Sequence, residues 1–96
     1  MPALIMQPQI DIDHPQPDET VSGPHYSFRI GGSDTLVSVE VSIDRGPWKP
    51  CRRACGYWWY DWAGIPDGAH QLVARGQTRD GFSVGSAPRR FVVAPR

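Results

Sequence analysis

Residues 36–44 read Leu-Val-Ser-Val-Glu-Val-Ser-Ile-Asp, apolar and polar positions alternating at period two. Successive side chains on a strand point to opposite faces. Val37, Val39, Val41 and Ile43 are therefore predicted to face a core, and Ser38, Glu40, Ser42 and Asp44 to face water. Asp44-Arg45-Gly46-Pro47 supplies the residue types of a turn directly afterwards. The same period recurs elsewhere. Residues 5–13 set Ile10 and Ile12 against Asp11 and Asp13. Residues 25–30 set Tyr26, Phe28 and Ile30 against Ser27 and Arg29. Residues 70–78 set His70, Leu72, Ala74 and Gly76 against Gln71, Val73, Arg75 and Gln77. Residues 89–94 close the chain around Phe91 and Val93. Arg79-Asp80-Gly81 is a hairpin signal. No window carries an apolar repeat of helical period, and Pro or Gly interrupts most of them.

Six or seven short strands joined by tight turns predict an all-β sandwich or barrel. Ten prolines and ten glycines fit that many turns. A chain of 96 residues is the size of one domain, with one core and about 65% of its unfolded surface removed from water. We expect a single domain over 1–96, the whole of a small protein or a piece of a larger one.

Charge narrows the partners. Ten acidic and ten basic residues cancel. The electrostatic attraction that dominates nucleic-acid binding is thus not expected, nor is adsorption to an anionic membrane. No apolar run approaches the ~18 residues of a membrane-spanning helix, and residues 1–6 lack the pattern of a signal peptide. Expected partners are other protein domains or a second copy of the chain, with carbohydrate as the alternative.

The densest chemistry lies in Gly56-Tyr57-Trp58-Trp59-Tyr60-Asp61-Trp62. On a strand Trp58, Tyr60 and Trp62 share one face, and Tyr57 and Trp59 the other. Flat aromatic faces stack on sugar rings or anchor interfaces. The structural alternative is that one face fills the core while loops and arginine stems half-cover the other. Trp48, Tyr57 and Trp59, with Arg52 and Arg53, form the candidate binding surface.

Cys51 and Cys55 are three residues apart. They are read as a small-loop disulfide, which would place the chain in a secreted or periplasmic compartment, or as free thiols. A zinc site would need two more ligands, and His14, His25 and His70 show no ligand spacing to the cysteines. A metal or redox protein built on this pair stays as a second alternative. His70, on an apolar strand face with no local nucleophile or carboxylate, is expected to be structural. Asp11 and Asp13 fit a solvated strand face better than a paired-carboxylate site, and Arg52, Arg53, Arg89 and Arg90 fit scattered surface pairing better than an anion site. No phosphate-binding loop, dinucleotide fingerprint, nucleophile elbow or calcium loop occurs. No catalytic residue, cofactor or resident metal is expected.

Three stretches carry a family resemblance. Residues 39–48 (VEVSIDRGPW) resemble the strand, turn and tryptophan of bacterial immunoglobulin-like modules of the E-set or fibronectin III-like kind. Residues 65–75 (IPDGAHQLVAR) resemble their Pro/Asp-Gly turn and following strand, and residues 78–81 (TRDG) the turn after it. The same signatures are similar to the immunoglobulin-like dimerisation domain of the sulfite-oxidase family. Thr78 and Gly76 depart from the acidic residue and alanine common there. The resemblance spans about half the chain. It implies an immunoglobulin-like β-sandwich of about seven antiparallel strands and a non-catalytic binding, spacer or dimerisation role. In that family the cofactor residues belong to another domain, so none carries over. The alternatives are a carbohydrate-binding module using the Trp/Tyr strand and a small redox or metal protein using Cys51 and Cys55.

Overall fold

A computed structural model describes residues 8–22, 25–64 and 66–94. Residues 5–7 of the first predicted strand and Ile65 of the Pro/Asp-Gly turn lie outside them. The described residues form ten strands: β1 (Ile10–His14), β2 (Glu19–Ser22), β3 (His25–Gly32), β4 (Leu36–Ile43), β5 (Lys49–Pro50), β6 (Arg52–Ala54), β7 (Tyr57–Ala63), β8 (Gly68–Thr78), β9 (Ser83–Gly85) and β10 (Arg89–Ala94). Seven have four or more residues; β5, β6 and β9 are short additions at the sheet margins. One sheet runs β1-β3-β7-β6. The other runs β2-β10-β8-β4-β5, with β9 beside β8. Their inner faces share one cluster, in which Ile12, Phe28, Ile30 and Trp58 of the first sheet meet Leu36, Val39, Val41, Leu72, Phe91 and Val93 of the second. This is an all-β, immunoglobulin-like sandwich.

Alternation places most of these side chains. In β8 the even-numbered residues from Leu72 to Thr78 are buried, and Arg75 and Gln77 are exposed. In β10 Phe91 and Val93 point inward, with Val92 outward.

Strand β4 departs from its sequence pattern. Leu36 pairs with Thr78, but Ser38 pairs with Gln77, so the ladder slips at Val37. The extra residue is a bulge, and it shifts side-chain parity by one. Leu36 is fully buried, whereas Val37, expected in the core, is 49% exposed. Ser42, expected to face water, is buried too. Its hydroxyl donates to the Gly46 carbonyl (2.8 Å), which satisfies it within the turn.

Not every pairing is antiparallel. After β1 the chain crosses to the second sheet, and β2 lies parallel to β10, from Glu19 beside Phe91 to Ser22 beside Ala94. Arg89 ties this crossing down. Its Nη1 donates to the carbonyls of Ile12 (2.8 Å) and Pro15 (2.7 Å).

Candidate functional site

The Trp/Tyr strand divides as its alternation requires. Trp58, Tyr60 and Trp62 of β7 turn inward: Trp58 is buried, and Tyr60 and Trp62 are half-buried against the core cluster. Phe28 is the hub of the inner aromatics, with ring centroids 5.6 Å from those of Trp62 and Phe91 and 6.4 Å from that of Tyr60.

Tyr57 and Trp59 lie on the outer face, each half-buried. Register sets their neighbours, since Arg29 of β3 and Arg52 of β6 both pair with Trp59. The Arg29 guanidinium lies 4.5 Å from the Tyr57 ring centre, and Arg29 and Arg52 each lie 6.0 Å from a Trp59 ring centre. Arg29 is also ion-paired to Asp13. Arg52 meets Asp61 through two nitrogens at 3.2 and 3.3 Å. The Arg52 hydrogen bonds, then that from Ser27, hold the Asp61 carboxyl below its ordinary range. The Trp59 indole N–H donates to the Ala54 carbonyl (2.8 Å). On this face Arg29, Arg52, Ser27 and Trp59 are each engaged by a neighbouring side chain or backbone carbonyl.

Trp48 and Arg53 stand elsewhere. Arg53 pairs with Trp58 rather than Trp59, and its guanidinium lies 5.6 Å from a Trp58 ring centre, so it caps the margin of the core. Trp48 stands in the loop just before β5 of the second sheet, where the Arg75 guanidinium lies 4.0 Å from a ring centre and is ion-paired to Glu40 at 2.9 Å. The five candidate residues thus divide three ways: Tyr57, Trp59 and Arg52 on one outer face, Trp48 on the opposite one, and Arg53 at the edge.

Cys51 and Cys55 are both free thiols. The three residues of β6 lie between them in extended conformation. Four steps at ~3.3 Å separate the Cα atoms by about 13 Å, whereas a disulfide needs under about 7 Å. The small-loop disulfide considered from spacing is therefore not formed in this structure, which supplies no argument for a compartment. Cys51 packs against the core cluster, where burial and then the Glu40 charge push its thiol up to about 12. Cys55 is exposed in the β6–β7 turn, at φ 55°. Among the described residues no three His, Cys, Asp or Glu side chains group closely enough to hold a metal ion.

His70 has the carboxylate that its local sequence lacked. Its Nδ1 lies 2.6 Å from Asp44 Oδ2, and its Nε2 lies 2.8 Å from the Pro66 carbonyl. The side chain is only 8% exposed, and the Trp62 and Phe91 rings pack against it. Burial pulls its pKa down, but the bonds to Asp44 and Pro66 and the Asp44 charge outweigh this, leaving it raised.

A further feature sits on the outer face of the second sheet, around Arg75. Ser38 and Glu40 of β4, Arg75 and Gln77 of β8, and Ser83 of β9 line a groove of about 350 Å³. Sequence alternation already put Ser38, Glu40, Arg75 and Gln77 on outward faces. The pairing of β4 with β8, which brings them together, was not readable from either segment alone.

Solved structures reproduce this arrangement of strands. The fold is that of a fibronectin III-like module. Fibronectin(III)-like modules of Clostridium thermocellum CbhA match with a TM-score of 0.71 at 12% identity, covering 91% of this chain and 98% of that one. A modular endo-β-1,4-mannanase from Cellulomonas fimi matches at 0.70 and 20% identity, and an engineered protein at 0.74 and 19%. Each of these alignments covers 92% of this chain, but the chain spans only 19% of the mannanase and 20% of the engineered protein. No protein-family model and no curated protein sequence matches the chain. At such identities the likeness shows the fold alone. The likeness does not extend to the particular kinship with the sulfite-oxidase family.

Proposed function

We propose that the chain is a single fibronectin III-like domain serving as a non-catalytic module of a longer protein, where it spaces or binds neighbouring elements. One observation carries this reading: the buried imidazole and four of the arginines are tied into structural pairs. His70 is held by Asp44 and Pro66, Arg29 by Asp13, Arg52 by Asp61, Arg75 by Glu40, and Arg89 by two backbone carbonyls. A general base needs a free acceptor aimed at substrate, and a buried imidazole with both nitrogens engaged offers none. The solved fibronectin(III)-like module of nearly the same length, and the much longer modular mannanase that contains a matching unit, support a module's role.

The test is a turnover assay of the purified chain on chromogenic glycosides, esters and peptides, beside the His70→Gln variant. Wild type and variant should both stay at the buffer rate. Turnover that disappears in His70→Gln would overturn the non-catalytic reading.

A further inference from the structure

The two outer faces of the sandwich differ in what their polar side chains are doing. On the β1-β3-β7-β6 face they hold one another: Ser27 on Asp61 (2.7 Å), Arg52 on Asp61, Arg29 on Asp13, and Trp59 on Ala54. On the opposite face Ser38 pairs across the ladder with Gln77, and Gln77 with Ser83. This row of two hydroxyls and an amide spans three strands, about 10 Å at ~4.8 Å per strand. All three residues are exposed, and among the described residues none of the three side chains engages another in a hydrogen bond. The next row is Glu40 opposite Arg75, whose charges cancel within the groove. Beyond Arg75, outside the groove lining, stands the half-buried Trp48 indole, with the guanidinium 4.0 Å from a ring centre.

We infer that this groove binds a neutral, hydroxyl-rich oligosaccharide, with Ser38, Gln77 and Ser83 meeting its hydroxyls and Trp48 forming an aromatic rim. The chemistry selects that class. Serine hydroxyls and a glutamine amide both donate and accept, as sugar hydroxyls do. A charged ligand would find no net charge and would have to break the Glu40–Arg75 pair. An apolar ligand would strand the polar row without partners. The half-buried Trp48 indole, one face of it against the Arg75 guanidinium, leaves part of its ring surface for the C–H groups of a sugar. The carbohydrate alternative considered from the sequence thereby moves from the Trp/Tyr strand to the other side of the molecule. The inference rests on the reading of the chain as a binding module.

Isothermal titration of the whole chain tests it. The probes are β-1,4-linked gluco- and manno-hexasaccharides, an α-1,4-linked gluco-hexasaccharide and an oligouronate. At least one neutral hexasaccharide should bind with a Kd of about 0.1–1 mM, and the oligouronate should bind more weakly. Gln77→Ala, an exposed change, should weaken binding about tenfold, and Trp48→Ala similarly. Trp59→Ala should stay within about twofold of wild type. Silence from every neutral hexasaccharide up to about 10 mM, preference for the oligouronate, or affinity lost in Trp59→Ala and kept in Gln77→Ala would each overturn it. Chromatography of the incubated sugars separates the two readings. Cleaved products would sink the non-catalytic role, while absent binding to intact sugar would sink only the groove.

Discussion

Asp44 and His70 are 26 residues apart in sequence and 2.6 Å apart in space. The other imidazole nitrogen faces the Pro66 carbonyl. Both partners are acceptors, so both hydrogen bonds form together only when the ring carries two N–H groups, as imidazolium. The pair fastens the β4–β5 turn to the start of β8, and Asp44 Oδ1 completes the tie by accepting from the Gln71 amide (2.9 Å).

A pH dependence follows, and its sign is fixed by the raised folded-state pKa of His70. The stabilisation is fully present below the unfolded value of about 6.5 and is lost as pH rises through the higher folded value. The urea midpoint should therefore fall between about pH 5.5 and pH 9. Asp44→Asn isolates the charge, since asparagine tolerates the positive φ of 53° and can still accept from Gln71. It should cost about 1–2 kcal/mol at pH 5.5 and flatten the slope, the two proteins converging at high pH. An unchanged slope in the variant would assign the pH dependence to other groups.

The cysteines give a second expectation. Cys51 packs on the core with its thiol pushed up to about 12, while Cys55 is exposed. The thiolate is the reacting species. Native protein should consume one equivalent of a disulfide reagent quickly at about pH 8, and a second only once urea unfolds it. Cys55→Ser should abolish the fast phase. Two equally fast thiols would contradict the packing of Cys51.

Arg89 predicts a third outcome. It is 17% exposed on its side chain and serves two carbonyls near the β1–β2 crossing. Arg89→Ala leaves both without that donor and should cost about 2–3 kcal/mol in urea unfolding. Arg89→Lys should recover part of the loss, since an ammonium can also donate to two carbonyls from one nitrogen but sits on a shorter side chain. Equal losses in both variants would show that the crossing requires the reach of the arginine Nη1, which an ammonium does not supply.

Gly32 gives the fourth. A β-carbon there would lie 2.5 Å from a Leu36 methyl and 2.9 Å from the Gln9 carbonyl oxygen. The leucine can turn aside, but the carbonyl belongs to backbone. Gly32→Ala should therefore destabilise by about 1–3 kcal/mol, read as a lower urea midpoint with an unchanged denaturant slope. A neutral effect would mean that the segment before β1 yields freely.

Much of the sandwich was legible because its inner faces obey one simple period. Ile10, Ile12, Phe28, Ile30, Leu72, Phe91 and Val93 were all placed by alternation. Strand β2 was not, because Glu19-Thr20-Val21-Ser22 offers one buried apolar residue and depends on its parallel neighbour β10. Val37 was misplaced because it continues the alternation of Val39 and Val41, whereas the one-residue bulge hands the buried position to its apolar neighbour Leu36. Trp48 was grouped with Tyr57 and Trp59 by side-chain type. Only the register of β4 on β8 separates it from them, by seating Arg75 beside Glu40 and under the indole. His70 lacked a carboxylate locally for the same reason, because its partner arrives from a turn on another strand.

The parallel seating of β2 on β10 also gives the domain a mechanical character. Among the described residues these are the second strand and the last, running side by side in one direction over residues 19–22 and 91–94. Once β1 is drawn off β3, tension between the two flanks of the chain pulls β2 and β10 in opposite senses along their common axis. The rungs between them are then strained together in shear, not peeled one at a time, and a short ladder loaded that way resists extension as a unit.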